Sequence, residues 1–472
     1  MMSASLPFLF SIIFNLATIS FVGWLLFFKR ELSFFVRPSI VFVAFLYCVY
    51  LLPSQLLNEH IKRMSPFIDN AVLLLSAVIF FSLCAIYWFY KKTENNSPKI
   101  SSQFSEKYKS VVLLGLVGSL ITCVTLYFSQ ISFMHTGLYS LLCDPKHFVI
   151  LREMSLKLAG IQWLGYVYLI GFSCVCPFLC VLWVDKILNA KGRNIVALLV
   201  FGMPLLLFVL FYLLITGARV GILNCALAVL GALWYRLSFK KFLPAAVLTI
   251  VGALSLAALI SMAWVNRIDD SEANRGGICS LFAVNNYELK QLDADSPVSW
   301  TTQRTDGFLS YFEGIINRIF IVPAAISGWY VEEGIYSGAR PYYLYSPESK
   351  KMANVFAQKY VKRIYGEEYQ AGESIMAPTS FVFVNFIYFG YWSILMSVLG
   401  ILAMDFAFIL AGTLGRVLSV PFMAMCLYYS FIFAQTGYAT VILSHGYFLL
   451  VGIVIVLYCL NRWIWQRQTT DC

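Results

Sequence analysis

Leu205-Leu206-Leu207-Phe208-Val209-Leu210-Phe211-Tyr212-Leu213-Leu214-Ile215-Thr216-Gly217-Ala218-Arg219-Val220-Gly221-Ile222-Leu223 holds a single charge. An apolar helix runs into Thr216-Gly217-Ala218-Arg219, and a second apolar run begins at once. A charged side chain at a bilayer centre costs on the order of 3 kcal/mol unless it is paired or reaches the interface. So short a turn places Arg219 at a membrane–water boundary, with its guanidinium fork open to phosphate or carboxylate.

The surrounding chain agrees. Its 472 residues are 60% hydrophobic and 12% charged, with a mean hydropathy of +0.77. A soluble chain averages about a quarter charged residues, so the expected class is an all-α polytopic membrane protein. The 40 Phe and 28 Tyr are ample for interfacial aromatic belts. The N-terminus lacks a charged leader and its apolar stretch continues as a full span, so no cleavable signal peptide is evident. The net charge of +10 does not point to nucleic acid, because the basic residues lie in short loops between spans. Most of the 12 cysteines lie inside predicted spans as small apolar residues. Cys174, Cys176 and Cys180 lack the second ligand pair or histidine that a zinc site needs, and no metal is expected.

Runs of about 20 apolar residues mark spans. They fall at about 5–28, 39–57, 67–90, 110–132, 158–183, 195–215, 220–238, 242–265, 386–411, 418–437 and 440–461, which is about 11, within a range of 10–12. Residues 1–265 therefore hold eight transmembrane helices, 266–385 form one long loop with amphipathic or re-entrant helices, and 386–472 hold three more helices and a tail. The segment 379–411 is too long for one straight span, and 309–330 is apolar but broken by Glu313, Arg318 and Pro323. Seventeen Lys and Arg lie in one alternating set of loops and six in the short loops of the other. The positive-inside rule then puts the N-terminus outside and the C-terminus in the cytoplasm.

The long loop falls outside. It carries eleven Lys/Arg against fourteen Asp/Glu, so it is not a polybasic lipid patch. A loop of this length usually serves as a lid or binding element. Its aromatic residues, Trp329, Tyr330, Tyr336 and Tyr342 among them, offer faces for sugar C–H groups. No phosphate-binding Gly-rich loop and no dinucleotide fingerprint occurs, and Asp293-x-Asp295 is external. These absences argue against a nucleotide-dependent transferase or ATPase, so the donor of any reaction is already activated and embedded in the membrane. The external half gathers arginine near the membrane: Arg219, Arg152, Arg318, Arg304 and Arg340. Two or three of them converging on one diphosphate would supply bidentate, charge-assisted hydrogen bonds and stabilise charge on the departing group. A proton acceptor is also needed, and His445, Glu373 and Glu313 are the candidates. Cys143 and Cys279 are both external, which leaves one disulfide open.

Four features then carry a resemblance. Ser132-Phe133-Met134-His135-Thr136-Gly137-Leu138-Tyr139 closes the fourth span and Arg152 follows it. Thr216-Gly217-Ala218-Arg219 forms a Gly-Ala-Arg turn. Arg318 precedes a proline in a long external loop. Asn385-Phe386-Ile387-Tyr388-Phe389-Gly390-Tyr391-Trp392 opens the first span after that loop. In order and membrane side these resemble the Wzy-type oligosaccharide repeat-unit polymerases, although the second glycine of the last motif is replaced. The resemblance implies a GT-C-like glycosyltransferase in the bacterial inner membrane. It would move a growing glycan from undecaprenyl diphosphate, at the periplasmic face, to the non-reducing end of the next lipid-linked unit. It implies no cofactor and a Wzz-type chain-length regulator as partner. An O-antigen ligase would share the arginine turn but looks to a histidine in the long loop, and 266–385 has none. A flippase for the lipid-linked unit would show a charged central cavity and internal repeats, which this chain lacks.

Overall fold

A computed structural model describes residues 6–29, 34–35, 37–57, 61–62, 65–94, 106–143, 162–190, 193–217, 220–269, 320–338, 379–414, 416–437 and 440–470. These are helices and the turns that join them, with no strand among the described residues. Among the described residues eight helices are long and apolar enough to cross a membrane: Leu6–Phe27, Pro38–Leu56, Ile68–Lys92, Tyr108–Gln130, Trp163–Asn189, Phe239–Ile260, Phe381–Gly412 and Leu418–Gln435. Shorter apolar helices cover Gly202–Leu214, Val220–Arg236 and Tyr447–Leu460. The chain is a polytopic membrane protein, helical throughout its described elements.

It forms two compact units. The first comprises Met1–Pro98, Asp293–Phe406 and Ser430–Tyr438. Here the Leu6–Gly23 helix packs along Ile68–Glu94. Its buried residues are polar, Ser11, Asn15 and Thr18, at helical spacing on one face. Leu9, Ile12, Ile13, Leu16 and Ile19 are exposed instead. This inverts the soluble amphipathic pattern, as a bilayer requires: apolar side chains face lipid while small or polar ones face the neighbouring helix.

A buried carboxylate, Asp405, ties this unit together. Its Oδ1 accepts from the Ser39 backbone N–H at 3.0 Å and its Oδ2 from the Ser39 hydroxyl at 2.7 Å. Arg37 Nη1 lies 3.5 Å from the same Oδ2, and the guanidinium sits over the Tyr90 ring, 4.6 Å from its centroid. A charge inside an apolar helix persists here because both of its oxygens are bonded.

The overlong segment near 379–411 resolves into two helices. Phe381–Phe389 ends at Gly390, whose φ of 55° is left-handed, and a single 3₁₀ turn, Gly390–Trp392, leads into Ser393–Gly412. Asn385 Nδ2 donates to Ser397 Oγ across the break at 3.2 Å. The helix thus starts at Phe381, five residues before the span expected from 386. Within the long loop, Val322–Ser337 is a helix with Pro323 in its first turn, where the missing N–H costs nothing. The proline that breaks the apolar pattern is a helix start. This helix packs on Ile68–Glu94 and Phe381–Phe389.

The second unit comprises Lys99–Leu292, Ala407–Tyr429 and Ala439–Cys472. Its centre is Cys176–Asn189, buried without a break from Cys176 to Leu182, which packs on Glu106–Gln130, Arg193–Leu214 and Val220–Arg236. Gln162–Ile170 runs into it through a π-helical turn, Gly171–Val175. Pro177 has no N–H to give the preceding turn, and the widened turn absorbs that defect. Phe239–Asp269 packs on Val220–Arg236 and exposes Leu243, Val247, Leu248 and Leu259, a lipid-facing surface.

Candidate functional site

The second unit brings two separate sequence motifs into backbone contact. After Glu106–Gln130 the chain makes a 3₁₀ turn, Phe133–His135, and then the short helix Gly137–Cys143. Thr136, fully buried, caps that helix: its hydroxyl accepts from the Tyr139 N–H at 3.1 Å and donates to the Phe133 carbonyl at 2.7 Å. The Leu138 N–H, one of the donors a helix start leaves unpaired, reaches another helix and bonds the Ile215 carbonyl at 3.0 Å. Gly137 lies beneath the next peptide. A Cβ there would stand 2.4 Å from the Thr216 carbonyl carbon and oxygen.

Thr216 is held from its other side as well. It is fully buried, and its hydroxyl is hydrogen-bonded to the Tyr168 hydroxyl at 2.9 Å. The Tyr212 hydroxyl donates to the Tyr168 carbonyl at 3.0 Å, and the two rings stack with centroids 5.2 Å apart. Gly217, with φ of 68°, donates its N–H to the Leu214 carbonyl at 2.8 Å and ends the helix. Three residues later Val220 opens the next helix, Val220–Arg236. Ala218 and Arg219 occupy the interval and lie outside the described residues. The first-turn N–H groups of a helix start such as this one are the part of a helix that favours anions.

His445 belongs to the same unit. It follows the π-helical turn Thr440–Ser444 and precedes Tyr447–Thr470. Its carbonyl accepts from the Tyr429 hydroxyl at 2.7 Å, and its backbone N–H bonds the Thr440 carbonyl at 3.1 Å. The ring Nδ1 is buried with no hydrogen-bond partner among the described residues. Gly446, with φ of 77°, abuts Cys174 and Ile170. Ile170 lies two residues from Tyr168, so one helix touches both the Thr216 turn and the His445 turn.

The remaining expected site residues separate into two groups. Trp329, Tyr330 and Tyr336 lie on the Val322–Ser337 helix of the first unit. Trp329 is 1% exposed and has no open face for a sugar, Tyr330 is partly buried, and Tyr336 is 71% exposed with its ring edge-on to Phe67. Arg152, Arg304, Glu313, Arg318, Arg340, Tyr342 and Glu373 lie outside the described residues, as Arg219 does. Cys143, at the end of the short helix, is disulfide-bonded, while Cys174, Cys176 and Cys180 are free and buried. Cys279 lies outside the described residues. No three His, Cys, Asp or Glu side chains gather closely enough to hold a metal among the described residues.

Sequence reading missed Tyr168 and Tyr212. Both look like ordinary interfacial aromatics, and only the packing shows that they hold the turn before Arg219. In comparisons with known proteins, no family model, curated protein or solved structure matches the chain.

Proposed function

We propose that this chain is a GT-C-like glycosyltransferase that polymerises undecaprenyl-diphosphate-linked oligosaccharide repeat units at the periplasmic face of the bacterial inner membrane. The observation that carries the reading is the clamp on the Ile215-Thr216 turn: Leu138 bonds the Ile215 carbonyl, while Gly137 and Tyr168 hold Thr216. Two motifs of the resemblance, far apart in sequence, meet at the turn that leads into Arg219. Catalysis by charge stabilisation needs donors fixed before the charge develops, and a backbone wedge is a rigid way to fix one.

In this reading the three shorter apolar helices also span the membrane, giving eleven with the N-terminus outside. The disulfide at Cys143 supports an oxidising compartment on that side. Arg219, with Arg318 and Arg152, binds the diphosphate of the donor. The acceptor hydroxyl oxygen attacks the anomeric carbon of the growing glycan. The bond from that carbon to the diphosphate oxygen breaks, and its electron pair leaves with undecaprenyl diphosphate. His445 takes the acceptor proton, with the carboxylates of Glu373 and Glu313 as the other candidates. Tyr336 and Tyr342 offer ring faces to the sugars. A Wzz-type regulator would set chain length.

The test is the surface polysaccharide ladder of a deletion strain complemented with wild type, Arg219→Ala or His445→Ala, with membrane levels checked by blot. Polymerase function requires wild type to restore the ladder, and Arg219→Ala to leave single repeat units at normal protein levels. Loss of every unit, the first included, would move the assignment to a ligase or a flippase.

A further inference from the structure

At the other end of the second unit a buried cluster carries more positive charge than it neutralises. Asp185, fully buried near the end of Cys176–Asn189, bonds two cations from two further helices. Its Oδ2 pairs with Lys109 Nζ, in the first turn of Glu106–Gln130. Its Oδ1 pairs with Arg236 Nε at 2.6 Å, at the last residue of Val220–Arg236. The Lys109 and Arg236 side chains are only 5% and 13% exposed.

Two cations on one carboxylate leave one unit of positive charge. Lys109 spends one of its three N–H donors on Asp185, and Arg236 spends its Nε–H, leaving both amino groups of the guanidinium unused among the described residues. Both oxygens of Asp185 are already taken. Lys240 and Lys241, exposed just beyond Arg236, add charge of the same sign. A buried cation without a counter-charge costs several kcal/mol, and among the described residues the cluster is one anion short. The free donors form a planar fork beside an ammonium, the geometry that suits tetrahedral oxyanions.

We infer that Lys109 and Arg236, held by Asp185, form a site for a phosphate group, separate from the Arg219 turn at the opposite ends of the same helices. A phospholipid headgroup and free inorganic phosphate share that chemistry. Basic clusters between membrane helices commonly take lipid headgroups. Asp185 then serves to aim both cations rather than to cancel them.

The test is thermal unfolding of the purified full chain in maltoside micelles, with added phosphatidylglycerol, inorganic phosphate, or diacylglycerol, which has the tails without the phosphate. The expected result is a rise of about 2–4 °C with phosphatidylglycerol and none with diacylglycerol. An equal rise with inorganic phosphate assigns the site to the free ion. Lys109→Gln keeps a hydrogen bond to Asp185 but leaves a balanced pair, so it should abolish the phosphate-dependent rise. Arg236→Gln should do the same and serves if Lys109→Gln fails to fold. Arg219→Ala should retain the rise, which keeps this site distinct from the proposed diphosphate site. Equal stabilisation by diacylglycerol, or a wild-type rise in the Lys109 and Arg236 variants, would overturn the inference.

Discussion

Gly137 and Thr216 touch through their backbones, 79 positions apart: no Cβ fits at 137, because it would fall 2.4 Å from the Thr216 carbonyl. The contact joins the end of one apolar helix to the turn that ends another. It leaves the chain little freedom just before Ala218 and Arg219.

Gly137→Ala should therefore disturb the site with little change to the rest of the unit. A peptide group cannot swing aside as a side chain can, and overpacking of this kind costs about 1–3 kcal/mol. Polymer length should collapse while the protein remains in the membrane. Gly118→Ala is the control, since nothing lies within 4 Å of its added Cβ. Equal ladders from the two variants would show that the wedge has no role.

Tyr168→Phe removes the hydroxyl bonded to Thr216 and leaves a buried group short of a partner. The expected cost is about 1 kcal/mol, read as a lower unfolding temperature. Adding Thr216→Val should cost less than the sum of the two single changes, and strict additivity would mean the bond contributes nothing.

Asp405→Ala removes the buried carboxylate that Arg37 and Ser39 both bond in the first unit, and should destabilise it by about 3–5 kcal/mol. Replacing both partners by apolar residues, Arg37→Met with Asp405→Leu, should recover most of that loss. Denaturant titration in micelles reads both.

Trp329→Ala and Tyr336→Ala should behave oppositely although seven residues apart on one helix. Trp329 is buried, and its removal should cost about 3–5 kcal/mol. Tyr336 is exposed, so its variant should unfold like wild type. If the ring binds glycan, chain length should shift in that variant alone.

Arg219→Lys separates charge from geometry. An ammonium carries the charge without the bidentate fork, so a diphosphate role predicts poor rescue relative to wild type. Full activity in the lysine variant would reduce Arg219 to a point charge.

The helical, membrane-spanning character was legible in composition alone, because a bilayer forces each span to be an apolar run that satisfies its own backbone. The Thr216-Gly217-Ala218-Arg219 turn was legible for the same reason: a charge and a glycine stand out between two apolar runs. The break at Gly390 was legible only as excess length, since a left-handed φ leaves no mark in sequence beyond the glycine itself. What holds the turn was not legible. Tyr168 and Tyr212 are unremarkable letters, and Gly137 is only one letter of a short motif, until three helices converge; Asp185 has no partner in sequence until Lys109 and Arg236 arrive from other helices. Local chemistry depends on neighbours in sequence, which a reader of the chain can see. Clamps and buried ion clusters depend on neighbours in space, and only the tertiary packing chooses those.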